Sequence, residues 1–246
     1  MDDDRDPRLL VLGVDPAPGK GLCVWGPGGL EAPVPALQSR EWLRGRTQGY
    51  AQVLVAWDAP VSFDSSLSLS DRPVDKAVRA FISEQVAKNM LHRGAVSVRP
   101  FSGCPHWTIT CEVLGLPFSR EGESAQVLAE PHGLANGLNV VEVHPAVTLA
   151  IWWLEANLGR PMPRYKQDEA ACSRIAGALG LPLPEGELDD ALDALVSQRM
   201  GTDFMAGRAI WVGSPLMGGY VLPRSALDRW QLGERVQQAL RQVRDA

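Results

Sequence analysis

The chain has 246 residues, 45% hydrophobic and 22% charged, a globular composition that excludes wholesale disorder. Lys and Arg number 24 against 29 Asp and Glu, and the formal charge of −5 excludes a uniformly basic nucleic-acid coat, though not a local basic groove or a carboxylate cluster built for a cation. There is no apolar run of about 18 residues and therefore no expected membrane span; an acidic start and dispersed cysteines (Cys23, Cys104, Cys111, Cys172) without a C-x-x-C pair read as reduced thiols in a cytoplasmic protein with no signal peptide.

The apolar run 9–14 ends at Asp15 and has the pattern of a buried central strand. Turn signals at 16–20 and 27–29 separate it from a strand at 21–25 and a weaker one near 30–34, so the chain opens with an antiparallel meander. A short helix at 39–44, capped by Ser39, leads to the apolar strand 52–57, which also ends in an acid, Asp58. A strand reached through a helical crossover is most simply parallel to the first. Residues 71–91 carry a helical stripe of Val74, Val78, Phe81, Ile82 and Val86, with Asp71 as a cap or Pro73 in the first turn.

Residues 94–139 read as an irregular insertion, and a further strand is expected at 138–143, followed by His144. Helices follow at 146–157, 167–179 and 188–199, then a hairpin (209–212 with 219–222) and a last helix at 225–243. This order predicts an α/β protein of ribonuclease-H-like plan, a mixed five-stranded sheet flanked by helices. The expected domain spans 1–200, with 201–246 as a C-terminal hairpin and helix extension packed on it.

Asp15, Asp58 and Glu142 stand at or near the ends of central strands, and Asp189, Asp190 and Asp193 open one helix, with Asp190 and Asp193 three apart on one face. Taken singly, each such acid reads as readily as a turn residue or a helix cap. As a set they suit two-metal phosphodiester hydrolysis, where carboxylates hold two hard cations, Mg2+ or Mn2+, and leave positions open for phosphate and water. Crowded carboxylates without a cation would repel one another and raise each other's pKa.

Six motifs in chain order, Gly13-Val-Asp15-x-Ala-Pro-Gly19, Trp57-Asp-Ala-Pro60, Arg72-Pro-Val-Asp75-Lys-Ala-Val-Arg79, Glu142-Val-His-Pro145, Tyr165-Lys166 and Asp189-Asp-Ala-Leu-Asp-Ala-Leu195, resemble domain-of-unknown-function family 429 across about residues 9–200. Members of that family are expected to be nucleases of ribonuclease-H-like fold. The last motif is also similar to the D-x-x-D-A-L helix of RuvC-type Holliday junction resolvases, in which both acids bind metal. The resemblance implies Asp15, Asp58, Asp190 and Asp193 as metal ligands.

Glu142, His144 and Lys166 complete the candidate catalytic set: Glu142 as a further or outer ligand, His144 to orient water or phosphate or as a structural residue, Lys166 to stabilise a leaving oxygen or merely as a solvated lysine. Arg72, Lys76 and Arg79, at i, i+4 and i+7, form a basic stripe able to grip a phosphate backbone. Asp75 could equally neutralise Arg72 in a surface pair worth under about 1 kcal/mol. The loop 62–70 reads as a flap or a polar loop, and Trp107, Trp152 and Trp153 as stacking or packing surfaces, with Trp152 the one assigned to the core. The expected function is metal-dependent hydrolysis of nucleic-acid phosphodiesters. The alternative is a catalytically inactive module of the same fold that binds nucleic acid or a protein. Neither a P-loop nor a G-x-G-x-x-G motif is present, and a duplicated actin-like phosphotransferase would need a second copy of the domain.

Overall fold

In the computed structural model, which describes residues 9–61, 72–98, 106–115, 125–214 and 217–244, the apolar run at the start of the chain becomes β1 (Leu9–Ala17), the strand from which the sheet grows to both sides. On one side β2 (Gly21–Gly26) pairs antiparallel with it, Gly13 opposite Trp25 and Asp15 opposite Cys23. Beyond β2 the expected third strand is divided into two-residue pieces, β3 (Gly29–Leu30) and β4 (Val34–Pro35), each antiparallel to β2. Pro33 and Pro35 explain the division, since a residue without an N–H cannot extend a ladder.

On the other side α1 (Ser39–Thr47) returns the chain to β5 (Gln52–Trp57), parallel to β1. β7 (Gly137–Glu142) lies parallel to β5, and β6 (Gln126–Val127) lies parallel to β7 at the edge. The result is a mixed sheet of seven strands, ordered β3-β2-β1-β5-β7-β6 with β4 on β2. It exceeds the expected five through the divided third strand and through β6. The segment 94–139, read as irregular, also holds the helix α3 (Trp107–Leu114).

Strand alternation builds two cores. Leu10, Leu12 and Val14 share one with Val53, Val55, Trp57, Leu43 of α1 and Ile109 and Val113 of α3. The Trp57 indole N–H donates to Thr110 Oγ1 at 2.8 Å and ties α3 to the sheet. Leu54, Ala56 and Val141 face the other core, with α2 (Pro73–Ala87), α4 (Pro145–Ala156), α5 (Glu169–Leu179) and α6 (Asp189–Met205). In α4 the tryptophans exchange their expected places: Trp153 is buried, its indole N–H donating to Arg160 O at 2.9 Å, and Trp152 is only partly buried.

Glycine brings α6 unusually close to this face. A Cβ on Gly13 would lie 2.1 Å from both Ala194 O and Gln198 N, and one on Gly201 would lie 3.0 Å from Ala56 Cβ. After α6, which runs through the expected boundary at residue 200, β8 (Ala209–Ser214) and β9 (Gly218–Pro223) form an antiparallel pair. The last helix is not continuous. It splits into α7 (Ser225–Asp228) and α8 (Leu232–Arg244), with Gln231 between them at φ 52°. α8 packs on α2, where Arg235 pairs with Glu84 at 2.9 Å, and Leu232 and Val236 enter the same core as α2 and α4. No helix among the described residues is long and apolar enough to cross a membrane.

Candidate active site

Asp15 and Asp58 come together because β1 and β5 are parallel and in register. The Asp58 N–H donates to Val14 O at 2.9 Å, and each acid follows by two positions a residue, Gly13 or Ala56, that faces α6. Period-two alternation therefore directs both toward the helix. The close approach of α6 at Gly13 brings in Asp193, beside Ala194 and only 1% exposed. Asp15, from β1, is also buried.

The connection before α5 supplies the partners. The Tyr165 hydroxyl donates to Asp193 Oδ1 at 2.8 Å, and the Lys166 ammonium donates to Asp193 Oδ2. Lys166 Nζ also lies 3.5 Å from Asp189 Oδ2, while Asp189 Oδ1 accepts from the Gln167 N–H at 3.0 Å. Gln167 adopts φ 60°, a left-handed conformation uncommon outside glycine, so the turn that presents Lys166 carries local strain. Asp189 and Asp190 make no side-chain cap of α6. Asp190 sits at the rim, 41% exposed at its side chain and 3.5 Å from Lys20 Nζ.

The electrostatics follow from burial of like charges. Burial first, then Asp58 and Asp193, hold the Asp15 carboxyl well above the usual carboxylate range. Burial and Asp193 do the same for Asp58. Asp193 is raised by burial, against the pull of Lys166 and Tyr165. Burial works against the Lys166 ammonium, but Asp193, Asp58 and Asp15 outweigh it and raise its pKa. The Cys23 thiol, opposite Asp15, is pushed up to about 12 by burial and then by Asp15 and Asp190, and stays protonated. The Lys166 ammonium thus pairs with Asp193 directly, while Asp15 and Asp58 act on it only through their charge. Their oxygens are the hard donors that Mg2+ or Mn2+ prefers. Among the described residues, however, no three His, Cys, Asp or Glu side chains stand close enough together to hold a metal ion.

Glu142 does not join this group. In register it stands opposite Trp57, one residue short of Asp58, and neighbouring positions on a strand face opposite sides. Its Oε1 accepts from Arg72 at 2.6 Å, and its Oε2 accepts from Arg72 at 2.8 Å and from the Val61 N–H at 3.0 Å. Burial pushes Glu142 up to about 7 against the effect of Arg72. Arg72 is itself 3% exposed, also pairs with Asp75 at 2.8 and 3.0 Å, and lies over the Tyr220 ring at 5.9 Å. The expected basic stripe is therefore not presented as one surface: Arg72 points inward, Lys76 is exposed, and Arg79 Nε donates to Val98 O at 3.0 Å.

His144 lies edge-on to Tyr220 with ring centroids 5.6 Å apart, its Nδ1 buried without a hydrogen-bond partner among the described residues. Burial, then Arg72 and Lys166, push it down to about 3, so the imidazole is neutral. Asp71, Cys104 and the loop 62–70, read as a flap or a polar loop, lie outside the described residues.

Tyr165 and Asp189 were visible in the sequence, one in a motif and one at a helix start, but were given no place among the site residues; the Arg72–Asp75 pair was expected on the surface and is buried instead. Comparison of the chain with protein-family models, curated proteins and solved structures finds no match.

Proposed function

We propose that the protein is a divalent-metal-dependent phosphodiesterase acting on nucleic acid, with a ribonuclease-H-like design. The observation that carries this reading is the convergence of Asp15, Asp58 and Asp193, from the ends of β1 and β5 and from α6, into a buried group in which Asp58 and Asp193 raise the pKa of Asp15 and Asp193 raises that of Asp58. The strand order supports it: an antiparallel meander on one side of β1 and parallel strands on the other is the plan on which such sites are built. Membership of domain-of-unknown-function family 429 and a cytoplasmic location belong to the same proposal.

On this reading Asp15, Asp58 and Asp193 are the residues assigned to Mg2+ or Mn2+, with Asp190 at the rim, and because they do not stand close enough as they are, their side chains would have to close on the ion. When bound, such an ion lowers the pKa of an attacking water and offsets charge on the leaving oxygen. The chain's own part is to orient its acids. Tyr165 fixes one oxygen of Asp193, and Asp189 fixes the backbone that presents Lys166. The Arg72–Glu142–Asp75 group acts as buried support joining β7 to the start of α2.

A second reading, a catalytically inactive module that binds nucleic acid or a protein, is favoured by one observation: both oxygens of Asp193 already have partners. Calorimetric titration with Mn2+, alongside cleavage of labelled single-stranded, duplex and branched nucleic acid, separates the two. The nuclease reading expects binding at millimolar concentrations or below and metal-dependent cleavage, both lost in Asp15→Asn. Absence of Mn2+ binding and of cleavage on every substrate leaves the module reading.

A further inference from the structure

The chain as a whole is acidic, yet two surface connections carry no acid at all. Residues 85–98 and 156–167 contain no Asp or Glu, while they hold Lys88, Arg93, Arg160, Arg164 and Lys166. The two connections are tied together. Leu91 bridges to Met162, the Met162 N–H donates to Met90 O at 3.1 Å, and the His92 N–H donates to Met162 O at 3.0 Å, with Leu91 and Met162 both buried. Pro161 and Pro163 on either side of Met162 favour extended backbone before each of them. Gly94 turns at φ 78° beneath the Arg164 side chain, where an added Cβ would come within 3.5 Å of Arg164 Nε.

The result is a basic ridge. Arg93, Arg160 and Arg164 are all exposed, and Arg160 lies over the Trp153 ring at 5.7 Å. Lys88 is engaged by Glu84 at 2.6 Å, whereas no ion pair with a described residue engages Arg93 or Arg164. At its far end the ridge reaches Lys166, whose ammonium donates to Asp193. A polyanion brought to Asp15, Asp58 and Asp193 meets repulsion, so the grip on it has to come from neighbouring surface. Arginine suits that task, because its planar fork matches phosphate oxygens. The connection 160–166 spans at most about 20 Å, a length over which one strand of a duplex presents about six phosphates.

We propose that Arg93, Arg160 and Arg164 form the phosphate-backbone contact by which the protein holds nucleic acid beside the carboxylate group. The proposal rests on the nucleic-acid partner named above and takes no step through a metal. Contacts of this kind set the position of a strand and read no sequence.

Fluorescence anisotropy with a labelled single-stranded and a labelled duplex oligonucleotide, on the full chain without added divalent metal, tests it apart from cleavage. Arg93→Gln/Arg164→Gln should bind about tenfold more weakly than the wild type and lower the salt slope of log affinity by about 1.5, as loss of two phosphate contacts requires. Arg199→Gln/Arg208→Gln is the control, since it removes the same formal charge from exposed arginines that pair with Asp203, and it should change affinity less than about threefold. Should the ridge pair fail to fold, Arg164→Gln alone carries the test, with about half the change in slope.

A ridge variant that binds as the wild type does, or a control pair that weakens binding as much, overturns the proposal and leaves the proposed function standing. Failure of the wild type to bind either oligonucleotide removes the nucleic-acid partner and this proposal together. Wild type retained on phosphatidylglycerol vesicles but on neither oligonucleotide would assign the ridge to an anionic lipid surface and likewise overturn it.

Discussion

The contact between α6 and β1 can be tested apart from any activity, through Gly13→Ala. The added methyl would meet Ala194 O and Gln198 N, each at 2.1 Å, more than an ångström inside ordinary contact. Both obstacles are backbone, so no side chain can swing aside, and the helix must lift from the sheet. The residues that would separate, Ala191, Leu192, Ala194 and Leu195, are buried. Overpacking in cores costs about 1–3 kcal/mol, and an unyielding obstacle puts this case near the top of the range. At about 2–4 °C per kcal/mol for a chain of this size, about 3 kcal/mol lowers Tm by about 6–12 °C. Gly177→Ala is the control: it lies exposed in α5 with nothing within 4 Å of its added Cβ, so it should be neutral or stabilise by up to about 1 kcal/mol. Urea unfolding of both variants provides the comparison. A Gly13→Ala protein within about 0.5 kcal/mol of wild type would refute the claim that backbone contact holds α6, and Asp193 with it, against β1.

Other predictions concern buried charge. Arg72→Met strands Glu142 and Asp75 in the interior, and loss of one partner of a buried ion pair costs about 3–5 kcal/mol; chemical denaturation at pH 7.5 should show a loss of this size, shrinking as the pH falls and Glu142 takes up a proton. The pH profile of metal-free stability has a definite sign. Asp15, Asp58, Asp193 and Glu142 all have folded pKa values above their unfolded ones, so their contribution is fully present below about pH 4 and is lost as pH rises through the folded values. His144, pushed down to about 3, acts in the opposite sense, adding stability as pH rises from about 3 to its ordinary value of 6.5 and nothing above it. Tm of the protein without added metal should therefore fall as the pH rises through about 7, where Glu142 loses its proton in the folded state and His144 no longer contributes. Asp58→Asn, which removes one of the repelling charges, should flatten that fall and stabilise the protein at pH 8 by about 1–3 kcal/mol. A less stable Asp58→Asn at pH 8 would contradict the charge-crowding account.

How much of this was legible in the sequence depends on which physical rule each feature obeys. β1 and β5 were visible because buried parallel strands are continuous apolar runs, and their terminal acids mark where burial stops. β3 and β4 showed only as one weak strand near 30–34 and β6 not at all, because two residues are too few to show any period, and only pairing with a neighbour defines them. Glu142 shows the limit most clearly. Like Asp58 it closes a central strand, but which face it takes depends on register, and a shift of one residue sends it to the opposite side. The three-residue spacing of Asp190 and Asp193 was readable, whereas the inward turn of one and the rim position of the other depend on where the Tyr165–Gln167 connection crosses the helix. In α4 adjacent tryptophans had to point apart, and periodicity alone assigned them the wrong way round.

The two buried charge groups at this end of the sheet use different cations, and the difference bears on what each can do. Arg72 offers a planar fork to Glu142 and Asp75, meets both in pairs of hydrogen bonds, and is sealed from solvent. Removing it would leave two stranded carboxylates, so this group suits a permanent brace. Lys166 instead meets Asp193 as a point charge on a flexible stem, leaves Asp15 and Asp58 without a hydrogen bond from it among the described contacts, and keeps half its side chain in water. Burial and crowding raise the pKa of Asp15, Asp58 and Asp193, so proton uptake as well as the ammonium relieves the repulsion among these acids. An arginine at position 166 could offer Asp193 the fork that Arg72 offers Glu142; the lysine there meets it as a single point charge instead.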